Sequence, residues 1–138
     1  MSETAARLAI QGVIADIVEA HTAYPLVVEM DNRVVVDQSK QINPYLKVMI
    51  DFLTAGQADL SDNPLKQSLG QIVIHVVVKA GTGSVAGSTL RDLICPYFDA
   101  KVMGPVHCHM AERQRTQAIA GWDYAPILIN FWMHTRGA

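Results

Sequence analysis

The stretch Gly81 to Ala86, Gly-Thr-Gly-Ser-Val-Ala, has the residue spacing of a known ligand-binding motif. It matches the G-x-G-x-x-A form of a dinucleotide fingerprint, whose glycines let the backbone approach a pyrophosphate at a helix N-terminus. That fingerprint should open a βαβ unit whose next strand ends in a ribose-binding acid. Here the segment runs instead into Cys95-Pro96. We favour a structural turn and keep, as an alternative function, a small nucleotide- or anion-binding protein that uses the Gly81–Ser84 turn.

His107 and His109 are the second pair whose spacing suggests chemistry. Two residues apart, they would point to the same face of a strand, and imidazole suits zinc or copper. The other candidate ligands are Cys95, His75, His21 and His134. None of these has the C-x-x-C or H-x-x-x-H spacing of a closed metal site. We therefore expect no metal and interpret His107 and His109 as solvent-facing or interfacial.

Catalytic groups are hard to find elsewhere in the chain. No serine lies in a G-x-S-x-G motif, and neither Cys95 nor Cys108 lies in a recognisable nucleophile context. No pair of carboxylates suggests acid–base chemistry. We expect no catalytic residues, no cofactor and no enzyme activity. The two cysteines are expected to be free thiols in a reducing compartment.

Composition excludes several classes of protein. The 138 residues carry eleven basic and thirteen acidic side chains, so a net charge of -2 supplies no strong field for nucleic acid or an anionic membrane. The N-terminus lacks the basic and apolar regions of a signal peptide, and the apolar runs are too short to span a bilayer. We expect one domain over 1–138, in a cytoplasm. The hydrophobic fraction of 50% leaves apolar surface for a partner subunit.

The elements that position these residues centre on Leu69 to Phe98. The β-branched run Ile72–Val78 predicts the central strand. After the glycine turn, apolar residues recur on one helical face, and they are Ala86, Leu90, Leu93, Ile94 and Tyr97. A strand that feeds into a helix folding back over it forms a helix-on-sheet layer. Pro96 predicts a kink or stop near Cys95.

The rest of the chain predicts a second helix and further strands. The helix runs from about Glu3 to His21 by its apolar period. The strands are predicted at Leu26–Met30, Val34–Val36, Tyr45–Leu53, Val106–Met110 and Trp122–Met133. The first two are expected to form a hairpin about Asp31-Asn32, and Pro126 is expected at an edge or bulge. Thr54–Pro64 and Ala111–Gly121 are expected to be long loops. The order predicts an α+β fold, a mostly antiparallel mixed sheet with two helices packed on one face and long loops.

Six residues are candidates for a subunit interface rather than for catalysis. They are Val73, His75, Val77, Trp122, Tyr124 and Trp132. The first three share one face of the central strand, and exposed apolar strips commonly mark subunit contacts. The aromatic residues near the C-terminus have two interpretations that the sequence leaves open, core filling or interface anchoring.

With these segments in place, the chain resembles the tail terminator proteins of long-tailed bacteriophages, the lambda-type minor tail protein U group and its prophage relatives. The resemblance extends from the N-terminal helix to Phe131. It rests on the strands Pro25–Glu29, Tyr45–Val48, the passage Gly70–Gly83, the helix ending at Phe98 and the strand opening at Gly121-Trp122. The chain departs from the family at Asp31-Asn32, where relatives tend to keep an aromatic stretch.

The resemblance implies a small α+β structural protein that assembles as a ring, typically a hexamer, at the head-proximal end of the tail tube. There it would end tube polymerisation and present a surface for head-tail joining. The implied partners are further copies of the chain, the tail tube protein and the head-tail connector protein, with no membrane and no specific nucleic acid. The implied location is the bacterial host cytoplasm during assembly and then the virion tail.

Overall fold

The computed structural model describes residues 3–31, 33–57, 65–82 and 85–136. Within them lie two helices, α1 (Glu3–Ala20) and α2 (Val85–Phe98). The strands are β1 (Val28–Met30), β2 (Tyr45–Gln57), β3 (Leu65–Lys79), β4 (Val102–Met103), β5 (Val106–Cys108), β6 (Glu112–Arg113), β7 (Gln117–Ile119) and β8 (Trp122–Arg136). All of these strands join one mixed sheet that curls into a half-barrel. The predicted α+β fold is confirmed.

The sheet is built around β3, as the β-branched run predicted. Its order is β1-β2-β3-β8-β5-β4, and β6 and β7 also pair with β8. Only β1 and β2 run parallel among the described pairs; the others are antiparallel. Ile72 of β3 lies between Ile50 of β2 and Ile129 of β8, and the three side chains are buried on the same face. We call this helix-covered face the inner face.

Both helices pack on the inner face through residues at helical spacing. Helix α1 contributes Ala6, Ile10, Ile14 and Ile17, and α2 contributes Leu90, Ile94 and Phe98 to the same core. Burial of each large side chain contributes about 1.5–3 kcal/mol. No helix in the described part of the chain is both long and apolar enough to cross a membrane.

The predicted hairpin about Asp31-Asn32 is wrong. β1 pairs parallel with β2, with Glu29 opposite Lys47, and residues 33–37 form no strand. The reason is that the amides of Val35 and Val36 donate to the Glu29 carboxylate instead of a strand ladder. Asn32 lies outside the described residues.

Both predicted long loops were wrong in the parts that the structure describes. Residues 54–57 continue β2, while 58–64 lie outside the described residues. The segment Ala111–Gly121 contains β6 and β7, whose side chains are all exposed. Backbone pairing with β8 holds these two strands, so they show no apolar alternation for sequence analysis to detect.

Two prolines were expected to interrupt regular structure, and both lie close to such an interruption. Pro126 lies opposite His75 of β3, so it is not at an edge of the sheet. On its other side the pairing register shifts by one residue between β6 and β7, which agrees with the predicted bulge. Its carbonyl accepts from the Gln114 amide. Because the N and O of a strand residue point to the same side, the missing N–H costs β3 no ladder bond. Helix α2 passes through Pro96 and ends two residues later at Phe98.

Candidate functional site

All six predicted interface residues lie on the face of the sheet opposite the helices, which we call the outer face. Alternation along β3 places Val73, His75 and Val77 there. The register with β8 places Tyr124 opposite Val77 and Trp132 opposite Leu69, so the aromatic residues join the same surface. The period of two in the two long strands thus brings together residues that are 59 positions apart in the chain, from Val73 to Trp132.

One end of the outer face is covered by the chain itself. Val77 is 0% exposed and Trp122 5% exposed, because they pack with Val36 and Tyr45 in a second small core. The Tyr45 and Trp122 rings meet edge to face with centroids 5.7 Å apart. Burial raises the pKa of Tyr45 to about 12. Val77 and Trp122 therefore stabilise the chain and leave little surface for a neighbour.

Glu29 holds this cover in place. One carboxylate oxygen accepts hydrogen bonds from the amides of Val35 and Val36, both at 2.7 Å. The other lies 3.7 Å from the Lys47 ammonium, while the glutamate side chain is 5% exposed. Glu29 was not among the residues predicted from the sequence. The available signal was an acid inside the apolar strand Val28–Met30.

The middle of the outer face holds a cleft of about 380 Å³. We call it the His75 cleft; its walls include His75, Tyr124, Lys47 and Met49. The rings of His75 and Tyr124 meet edge to face at 5.8 Å. Burial, and secondarily the Lys47 charge, lower the pKa of His75. Its Nδ1 is buried without a hydrogen-bond partner among the described residues.

The other end of the outer face carries a strip that neither helix covers, which we call the open strip. It consists of three cross-strand pairs, Leu69–Trp132, Gln71–Asn130 and Val73–Leu128. Leu69 is 43% exposed although it is a large apolar residue. His107 of β5 stacks on Trp132, with ring centroids 4.0 Å apart and planes 5° apart. Apolar pairs at both ends of a polar pair give this strip the character of a contact surface.

The two histidines that suggested a metal lie in β5 and directly after it. His107 lies on the outer face against Trp132, while His109 follows the end of β5 and its amide donates to the Asn130 carbonyl. The antiparallel register with β8 therefore continues from Trp132 to Asn130, which leaves the two histidines on the same face, as predicted. Among the described side chains, no three His, Cys, Asp or Glu residues cluster as metal ligands.

The glycine turn follows β3 and precedes α2, as predicted, but its context differs from a nucleotide site. Gly81 has a positive φ of 88°, and both the amide and the hydroxyl of Thr82 donate to the Lys79 carbonyl. The strand after α2, β4, lies at the sheet edge, away from β3. A cleft of about 450 Å³ beside the turn contains Arg91 and Asp123. Gly83 and Ser84 lie outside the described residues, and anion binding at the turn stays a prediction.

Both cysteines are free and buried. Burial raises the pKa of the Cys95 thiol, and it raises the pKa of Cys108 to about 11. A nucleophilic cysteine needs a lowered pKa, so the surroundings of these two thiols favour the unreactive protonated form. Their position in the inner core is that of small apolar residues.

Comparison with known proteins finds a solved structure with a similar fold, but no matching family. No family model matches the chain, and no curated protein matches it. The chain is similar to a solved structure whose name describes no function, with a TM-score of 0.70 and 16% identity. The match covers 100% of this chain and 99% of the other. At this identity the likeness shows that the fold recurs in another protein over its whole length.

Proposed function

We propose that this protein is a structural component of a phage or prophage tail, which assembles as a ring, caps the tail tube and forms the head-tail joining surface. The open strip is the observation that supports this proposal best. Its apolar and aromatic pairs lie on a sheet face that the helices leave free, and self-association would bury them. The resemblance of the sequence to tail terminators supplies the specific role in this proposal.

Four of the six predicted interface residues are left to contact a partner in this proposal, in two groups. Val73 and Trp132 belong to the open strip, where a second copy of the chain would contact them. His75 and Tyr124 lie in the adjoining cleft. Aromatic residues are favoured anchors of protein interfaces, and Trp132, already held by its stack with His107, would dock with little further loss of side-chain entropy.

The test is a measurement of mass and tube binding. Light scattering over a range of protein and magnesium concentrations, with and without purified tail tubes, should show rings of several chains and their retention on tubes. Electron microscopy should then show added density at one end of each tube. A chain that stays monomeric under all these conditions and leaves both tube ends unchanged would contradict the proposal.

A further inference from the structure

The His75 cleft has the size and walls of a small-molecule site. Its volume of about 380 Å³ falls within the range of ligand pockets, which runs from about 300 to 1,000 Å³. Its apolar side chains are Val34, Met49 and Ile119. Val34 and Ile119 are exposed although they are large apolar residues. A ligand seated here would cover apolar surface that the chain leaves in water.

The polar groups of the cleft are biased towards cations. The Lys47 ammonium lies 3.7 Å from the Glu29 carboxylate and 5.9 Å from the centre of the Tyr124 ring. Neither contact is a hydrogen bond, so the ammonium can still donate to a ligand. Arg33 also lines the cleft and forms no ion pair with the described residues. The amides of Val35 and Val36 bind one oxygen of Glu29, and the other oxygen faces Lys47. Two cationic side chains against one carboxylate leave the cleft with an excess of positive charge for an incoming anion.

The aromatic groups of the cleft suggest the rest of the ligand. Tyr124 and His75 hold each other edge to face, which fixes both rings before any ligand binds. Fixed rings favour offset or edge contacts with a second planar ring. The Met49 side chain on β2 offers a polarisable thioether that packs well on aromatic rings.

We propose that the His75 cleft binds a small aromatic carboxylate, with its ring against Tyr124 and Met49 and its carboxylate facing Lys47 and Arg33. This inference does not depend on the proposed function, because the cleft adjoins the open strip without including its six residues. A neutral aromatic molecule lacks the charge for the two cations. A bare inorganic anion lacks the ring for the apolar walls.

The experiment follows methionine methyl groups by NMR while benzoate is added to the full chain. Benzyl alcohol and inorganic phosphate serve as probes that keep only the ring or only the charge. Met49 reports on the cleft, and Met103 and Met133, buried in the inner core, report on general effects. Lys47→Met removes one cation of the cleft, and Lys101→Met is the matched control at an exposed position.

We expect a saturable shift of the Met49 methyl with benzoate and none at Met103 or Met133. The original chain should bind benzyl alcohol about tenfold more weakly than benzoate, and Lys47→Met should bind benzoate about tenfold more weakly than the original chain does. Each change removes one charged hydrogen bond. Lys101→Met should bind benzoate as the original chain does. Equal affinity for benzyl alcohol or phosphate, or a linear shift shared by all methyls, would overturn the proposal. If Lys47→Met does not fold, the three probes on the unaltered chain decide by themselves.

Discussion

Glu29 shows how much one side chain can organise in this molecule. It is the buried charged residue of the described chain, and its two short amide contacts hold the segment that covers Val77 and Trp122. A buried carboxylate is stable only when hydrogen bonds replace its lost hydration. In Glu29 the amides of Val35 and Val36 replace water as hydrogen-bond donors. This places Val36 in the small second core on the outer face.

Replacing Glu29 with alanine should therefore destabilise the fold. The amides of Val35 and Val36 would lose their acceptor, at a cost in the free energy of unfolding of about 3 kcal/mol. Glu29→Gln keeps one acceptor oxygen and should lose less. Urea unfolding followed by circular dichroism measures the effect. Glu19→Ala, at an exposed position of α1, is the control and should stay within about 0.5 kcal/mol; equal losses for Glu19→Ala and Glu29→Ala would refute this role.

His75 should give stability a pH dependence of known sign. Its pKa is lowered in the folded chain by burial and by Lys47, so the unfolded chain binds the proton more tightly. Stability is then fully present above the ordinary histidine pKa near 6.5 and is lost as the pH falls towards the folded value. Unfolding between pH 8 and pH 5 should show a smaller loss for His75→Gln than for the original chain. The exposed His109→Gln should retain the original dependence, and an identical curve for His75→Gln would exclude the assignment.

At the scale of elements, the paired strands β2, β3 and β8 depend on a close approach at Gly70. A Cβ built there would lie 2.2 Å from the Phe131 ring and 2.6 Å from the Asp51 carbonyl oxygen. Phe131 fills this space and meets the Phe52 ring edge to face at 5.6 Å. The glycine lets the aromatic ring lie directly on the backbone of the central strand.

Gly70→Ala should disrupt this packing and lower the free energy of unfolding by about 2 kcal/mol or more. Gly12→Ala is the matched change, since Gly12 lies inside α1 with no atom within 4 Å of its added Cβ. There the substitution should stabilise the protein by about 0.5–1 kcal/mol. Thermal unfolding of the two variants gives the comparison. A neutral Gly70→Ala would show that the strands separate to accept the methyl group.

Sequence patterns predicted the elements whose burial follows a regular period. The apolar alternation of Leu46 to Phe52 and the β-branched run at Ile72 identified two central strands, and the period of 3.6 identified α1. Patterns failed where hydrogen bonds rather than burial define the structure. β6 and β7 have exposed side chains, and the segment after β1 is held by the Glu29 carboxylate.

The sequence predicted which residues lie on the outer face, but not which of them are covered by the rest of the chain. The period of two placed Val73, His75 and Val77 together, and the aromatic residues of β8 joined them through the sheet register. Which of them are covered depends on Val36, from a segment that the sequence assigned to a hairpin arm. Long-range packing of this kind leaves no local periodic signal.

In the whole molecule, the two faces of the sheet differ in what covers them. The inner face is filled by α1 and α2 and supplies the stability of the fold. The outer face is divided into a covered end, the His75 cleft and the open strip. An assembly role for the protein predicts that the open strip, rather than the helices, meets the next copy of the chain.

The masses of three proteins in solution show whether the open strip is the contact between copies of the chain. Leu69→Lys places a charge within the open strip, and Leu8→Lys makes the same change on exposed α1, away from the strip. Light scattering should give a multiple of the chain mass for the original protein and for Leu8→Lys, and the mass of a single chain for Leu69→Lys. Assembly of Leu69→Lys to the same mass as the original protein would show that the open strip is not the contact, and loss of assembly in Leu8→Lys would place the contact on the helices.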